Sequence, residues 1–137
     1  MKGPTRSFKP FEVISDSTAG FLMKQGKIDV AITGADRIAK NGDSANKIGT
    51  YSLAVLCKFH NIPFYIAAPT STIDRSIATG DEIPIEIRNS AELLSFNGTL
   101  IAPEGTKAYT PAFDVVPASL ISGIITNEKL HNPPYHF

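Results

Sequence analysis

The stretch over residues 27–60, KIDVAITGADRIAKNGDSANKIGTYSLAVLCKFH, carries the change of pattern on which the fold depends. Ile28, Val30 and Ile32 form a short β-branched apolar run that ends at Gly34 and reads as a buried, central strand. Asp36 follows, then a polar loop with the turn pair Asn41-Gly42, then Asp43 and Ser44, either of which can cap a helix by accepting a backbone N–H. A helix is therefore expected from near Ser44. Ile48, Ser52, Val55 and Phe59 would be its inward stripe, and Asn61-Ile62-Pro63 its stop. Strand, polar loop and helix make half of a βαβ unit. In open α/β sheets small ligands sit beyond the carboxyl ends of strands and beside helix N-termini, where this pattern puts Asp36, Asn46 and Lys47. A lysine in a first helical turn opposes the helix dipole, and a nearby anion would explain it; the alternative is a solvated Lys47 and an Asp36 that only bonds loop amides.

The flanks extend this pattern. Residues 13–16 read as a short strand and residues 18–25 as a helix capped by Asp16 or Ser17 and closed by Gly26, so that Asp16 and Asp36 would share one sheet edge. Residues 63–68, PFYIAA, read as a strand buried on both faces. Ser71-Thr72-Ile73-Asp74 has capping-box spacing for a helix reaching Gly80, although a Ser/Thr-rich strand end can also bond sugar hydroxyls. Ile83, Ile85 and Ile87 alternate as in a strand, with Pro84 favouring an edge. Residues 91–96 suggest a helical turn, Asn97-Gly98 a reversal, and Pro117 the start of a final helix with Leu120, Ile121, Ile124 and Ile125 buried. The expected organisation is an irregular leader over residues 1–12 and one domain over residues 13–137.

The 137 residues balance 13 basic against 13 acidic side chains, so no electrostatic footprint for nucleic acid or a membrane surface is expected. No apolar run is long enough for a membrane span, the first ten residues lack a signal-peptide core, and the single cysteine, Cys57, fits a reducing compartment; a cytoplasmic protein is expected. His131 and His136 have no carboxylate or cysteine at metal-ligand spacing and read as surface residues.

Residues 34–74, GADRIAKNGDSANKIGTYSLAVLCKFHNIPFYIAAPTSTID, resemble the signature region of methylthioribose-1-phosphate isomerases, the aldose–ketose isomerases of methionine salvage. The likeness continues through TGDEIPIEIRN (79–89) and AYTPAFDVVPASLISGIIT (108–126). Ribose-1,5-bisphosphate isomerases and regulatory subunits of a translation initiation exchange factor are related. ADRI and NGDSANKIGT are closest to the methylthioribose branch. The resemblance implies an α/β fold with a Rossmann-like, mostly parallel sheet flanked by helices, and no cofactor or metal. It implies Asp36 as the catalytic proton donor, and Asn46 and Lys47 as ligands of a small-molecule sugar phosphate. Phe113 and Asp114 match an aromatic–acidic pair near the pocket or dimer contact.

Family members are usually longer, with a catalytic cysteine and an arginine-, proline- and glutamine-bearing motif upstream; residues 1–12 reproduce neither. Cys57 falls nearly opposite Ile48 on the expected helix and reads as a packing or subunit-contact residue rather than that thiol. The resemblance thus implies half a site, weak or no activity in isolation, and a homodimer or a complementary N-terminal half as partner. A non-catalytic regulatory subunit, a ribose-1,5-bisphosphate isomerase relative and a functionless fragment are the alternatives.

Overall fold

The computed structural model describes residues 10–137. The expected leader lies for residues 1–9 outside this range; residues 10–12 are exposed and belong to no helix or strand. The chain forms α1 (Thr18–Lys24), β1 (Ala31–Thr33), β2 (Arg37–Ala39), β3 (Ser44–Lys47), α2 (Thr50–Phe59), β4 (Phe64–Ala67), β5 (Ile73–Asp74), α3 (Ala91–Leu94), β6 (Ser95–Phe96), β7 (Thr99–Leu100), β8 (Phe113–Val116), β9 (Gly123–Ile125) and β10 (Leu130–His131). One sheet has the order β1-β4-β9-β10, parallel from β1 to β9 and antiparallel at β10. A second has the order β5-β2-β3-β8, parallel only at β2–β5. A two-stranded hairpin, β6–β7, turns at Asn97-Gly98 as its sequence indicates. The fold is α/β, with more antiparallel pairing than the sequence suggested. Among the described residues no helix is long and apolar enough to cross a membrane.

The main core joins both sheets to the helices: Phe64, Ile66 and Ile124 come from the first sheet, Ile38 and Val116 from the second, Met23 from α1, and Ala54 and Cys57 from α2. β4 sits between two parallel neighbours, as its apolar run suggested, but it is buried on one face rather than both: Phe64 and Ile66 are in the core, Tyr65 is half-buried and Ala67 is exposed.

Several expectations are corrected. Residues 13–16 form no strand and are exposed, so β1 is an edge strand among the described residues rather than a central one, and Val30 and Ile32 are exposed rather than buried. Ser17 precedes α1 without a side-chain cap. Residues 44–47 are the strand β3, not the start of a helix. Asn41-Gly42 is a hairpin turn: Gly42 has φ +93°, Asn41 and Asp43 bond each other, and the Ser44 hydroxyl donates to the Gly42 carbonyl at 2.9 Å. A side chain at Gly42 would strike the ring of Tyr135, which covers the turn. α2 therefore begins six residues later than expected, after Gly49 in the left-handed region (φ +103°).

That shift changes which face of α2 turns inward. Thr50, Ala54 and Cys57 are buried, whereas Ile48, Val55 and Phe59 are exposed, Phe59 by 78%. Small side chains line the buried face, so α2 lies close to its neighbours; Leu56 packs against Gly20 of α1. Cys57, expected opposite the inward stripe as a packing or subunit-contact residue, lies instead on the buried face and packs in the core, and burial pushes its thiol pKa up.

The later elements also differ. Ser71-Thr72-Ile73-Asp74 opens no helix: Thr70–Thr72 is one 3₁₀ turn without a side-chain cap, followed by β5. The capping box lies instead at Thr79 and Glu82. Residues 83–87 form no strand beyond a single bridge from Ile87 to Pro111. The final helix is replaced by a 3₁₀ turn, Ala118–Leu120, and then β9, where Ser122 pins Phe64 at both ends: its N–H donates to the Phe64 carbonyl at 2.7 Å and its hydroxyl accepts the Phe64 N–H at 3.0 Å. β-branched Ile124 and Ile125 suit the strand better than the helix.

Candidate active site

The two sheets place their polar ends together. β1 and β4 run parallel, and the segments leaving their carboxyl ends lead to Asp36 and to Ser71 respectively. Within the second sheet, β3 is antiparallel to β2, so the residues ending β3, Asn46 and Lys47, lie at the end where Asp36 precedes β2. The Asp36 N–H donates to the Ala45 carbonyl at 2.8 Å, fixing this juncture. β5 is parallel to β2 with Ile38 opposite Ile73, so Ser71 and Thr72 stand at the same end. β8 is antiparallel to β3 with Asn46 opposite Asp114 and Lys47 opposite Phe113, which brings that pair there as well. Residues far apart in sequence thus meet at one end of the sheet, because β2, β5 and β8 begin there and β3 ends there.

Three clefts run along this edge. Asp36, exposed, lines one of about 440 Å³ with Arg37 and residues 71–75. Lys47, also exposed, lines a second of about 420 Å³ with residues 14–16, Ala19, residues 48–50 and Leu53. It also lines a third of about 340 Å³ with Arg88, Glu92 and residues 109–112. Asp16 lies on the second cleft, away from the wall that holds Asp36. Asn46 is partly buried and donates to the Thr50 hydroxyl at 3.0 Å, and that hydroxyl donates to the Lys47 carbonyl at 2.7 Å. The edge therefore carries Asp36 and Lys47 open to a ligand, with Asn46 held between β3 and α2.

Lys47 belongs to a strand, so it does not oppose the helix dipole from within the first turn of α2 as expected. That turn already has an anion. The Asp114 carboxylate accepts the Gly49 N–H at 2.8 Å and the Tyr51 N–H at 3.0 Å, from a strand some sixty residues downstream. This cap was invisible locally, because Gly49 has no side chain to supply one. Its only signal was an acidic residue, Asp114, in an otherwise apolar strand, FDVV.

A second carboxylate organises the hairpin. Asp43 accepts the Ala118 N–H at 2.7 Å, the Gly80 N–H at 2.9 Å and an Asn41 amide hydrogen at 2.9 Å. Partial burial pushes its pKa up, but these three hydrogen bonds outweigh burial and hold it below the usual carboxyl value. Beside Asp36, Arg37 lies 3.8 Å from Asp74, whose carboxylate also takes the N–H and hydroxyl of Ser76. Among the described residues no three His, Cys, Asp or Glu side chains gather to hold a metal.

Comparison with known proteins places the chain among relatives of one family. The model of the Initiation factor 2 subunit family matches residues 9–133. Methylthioribose-1-phosphate isomerase of Pelotomaculum thermopropionicum is 59% identical over 92% of this chain and 35% of its own length, and that of Acetivibrio thermocellus 61% identical over 92% and 37%. Among solved structures, 5-methylthioribose 1-phosphate isomerase from Pyrococcus horikoshii superposes with a TM-score of 0.86 at 51% identity, over 89% of this chain and 34% of that one. The translation initiation factor eIF-2B subunit delta from A. fulgidus gives a TM-score of 0.83 at 43% identity, over 89% and 35%. The chain spans about a third of the length of the curated relatives it matches. By fold, by sequence and by extent of match, the chain belongs to the Initiation factor 2 subunit family.

Proposed function

We propose that this chain supplies the Asp36, Asn46 and Lys47 portion of an isomerase site that converts 5-methylthioribose 1-phosphate to 5-methylthioribulose 1-phosphate. The observation that supports it most is the shared sheet edge, where the β2–β3 hairpin joins Asp36 to the strand that ends in Asn46 and Lys47. Phosphate on the anomeric oxygen prevents the furanose from opening as a free sugar does. A proton must reach the ring oxygen as its bond to C1 breaks, and hydrogen must pass from C2 to C1 so that the carbonyl emerges at C2. Asp36 is the proton donor in this scheme. Lys47 holds oxyanions by charge, and Asn46 directs sugar hydroxyls.

Acid catalysis of this kind calls for a desolvated carboxyl group, and Asp36 is exposed in this chain. Cover for it, together with a nucleophilic or basic partner, comes from the remainder of the family fold, on the same polypeptide or another. Residues 13–137 act as one domain of that assembly, in the cytoplasm, with a homodimer or a complementary half as partner and without nucleic acid or membrane. Isomerisation of 5-methylthioribose 1-phosphate, measured with residues 1–137 alone and then with the remaining family fold added, tests this. Turnover only in the second case is expected; ordinary turnover by the chain alone contradicts the half-site.

The likeness to the eIF-2B delta subunit supports a second reading, a non-catalytic regulatory subunit. Tight binding to a translation factor without affinity for sugar phosphates would favour it.

A further inference from the structure

The Ser/Thr-rich segment after β4 has no capping task. Of its three hydroxyl residues, Thr70 is tied to the Asn127 side chain through its N–H at 2.9 Å and its hydroxyl at 3.2 Å, which fastens the segment to the loop after β9. The hydroxyls of Ser71 and Thr72 make no hydrogen bond among the described residues, and Thr70–Thr72 has no side-chain cap. Both residues line the cleft of Asp36. Their position there follows from register: with Ile38 opposite Ile73 in a parallel pair, Asp36 and Ser71 each stand two residues ahead of that pair, and Arg37 and Thr72 one residue ahead.

The cations of the cleft differ in state. Arg37 leans on Asp74 at 3.8 Å, whereas Arg75 is exposed and makes no ion pair among the described residues. The wall facing Asp36 thus offers two hydroxyls and an unpaired guanidinium on a segment anchored at Thr70, with Ile73 its one apolar residue. Hydroxyls both donate and accept, which suits a vicinal diol; a guanidinium offers a planar fork of donors to the oxygens beside it. A methylthio group gains nothing from such a wall.

Resting on the isomerase reading above, we propose that Ser71, Thr72 and Arg75 form a subsite that binds the 2,3-diol side of the pentose phosphate, opposite Lys47 across Asp36. This subsite reads the part of the substrate common to all pentose 1-phosphates and leaves the 5-substituent to other groups.

The test uses the whole chain, isotopically labelled, with ribose 1-phosphate and 2-deoxyribose 1-phosphate as probes and amide NMR shifts as readout. Ribose 1-phosphate is expected to move the amides of Asp36, Asn46 and Lys47 and also those of residues 71–75. The double variant Ser71→Ala/Thr72→Val is expected to bind ribose 1-phosphate about tenfold more weakly and to lose less affinity for the 2-deoxy sugar, which keeps only the 3-hydroxyl. Arg75→Gln is expected to weaken both sugars. These residues are at least partly exposed and outside the core, so the variants fold. Shifts at Asp36, Asn46 and Lys47 with residues 71–75 unmoved, or a double variant that keeps the parent's preference for ribose, overturn the subsite and leave the isomerase reading standing. No shift at any of these residues overturns the subsite, and the isomerase reading is then decided by turnover with the remaining family fold added.

Discussion

The Asp114 carboxylate receives the Gly49 N–H at 2.8 Å, so the first turn of α2 is capped from β8, the strand paired with the β3 that leads into it. The Tyr51 N–H joins at 3.0 Å. Two charge-assisted hydrogen bonds at a helix N-terminus, where the dipole also favours a negative charge, make this cap the tie between β8 and the turn that follows Lys47. Asp114→Ala is expected to lower stability by about 1–2 kcal/mol, and Asp114→Asn, which keeps one acceptor, by less. Urea denaturation checks both.

Asp43 makes a pH-dependent contribution. In the unfolded chain its carboxyl titrates near the ordinary value of 3.8, and in the folded chain lower, because three hydrogen bonds favour the anion more than burial penalises it. A depressed folded pKa gives stability that is complete above the unfolded value and lost as pH falls through the folded one. Asp43→Asn is therefore expected to show a shallower loss of stability below about pH 4 than the parent. At neutral pH the variant is expected to be less stable by about 2 kcal/mol, since its NH₂ cannot accept from Gly80 or Ala118. Denaturation midpoints measured from pH 7 to pH 2 give both quantities.

Tyr135 contributes at the opposite end of the scale. Its hydroxyl donates to the Ile121 carbonyl at 2.9 Å, and burial, with a smaller effect from Tyr65, raises its pKa from 10.0 to about 12. Folding holds the neutral phenol, so this contribution is present below pH 10 and is lost as pH rises towards 12. Tyr135→Phe is expected to flatten alkaline unfolding over that window while costing about 1 kcal/mol at neutral pH. Gly42→Ala, which forces a side chain against the same ring at a positive φ, is expected to cost about 2 kcal/mol or more. Part of that cost should disappear in a Tyr135→Ala background, a coupling that a double-mutant cycle measures.

Cys57 is fully buried and its thiol pKa is raised by burial, so the folded chain is expected to resist alkylation by iodoacetamide at pH 8 and to react when unfolded. Rapid modification of the native chain would contradict its place in the core.

The strands that lie deepest were the most legible. β4 announced itself by unbroken apolar residues, and Asn97-Gly98 announced a hairpin because both residues readily take positive φ. The same chemistry at Asn41-Gly42 was read as the approach to a helix, since Asp43 and Ser44 are also good caps; what decided the matter was pairing with Val115 and Val116, some seventy residues away. That misplacement carried the α2 stripe with it, because a helix that begins six residues later buries its alanine and cysteine face. The site was legible in a different way. The sequence ordered Asp36, Asn46 and Lys47 along a chemically suggestive stretch, but the polarity of β2, β3, β5 and β8, which sets Ser71 and Asp114 beside them, is a property of non-local pairing.

The central claim is that Asp36 gives the proton that opens the sugar ring. The direct measurement is the rate of 5-methylthioribulose 1-phosphate formation by Asp36→Asn and by the parent, each supplied with the remainder of the family fold and each checked for the same circular dichroism. Loss of turnover by about a thousandfold or more, with substrate binding kept within a few-fold, is the expected result. Turnover within tenfold of the parent would contradict it.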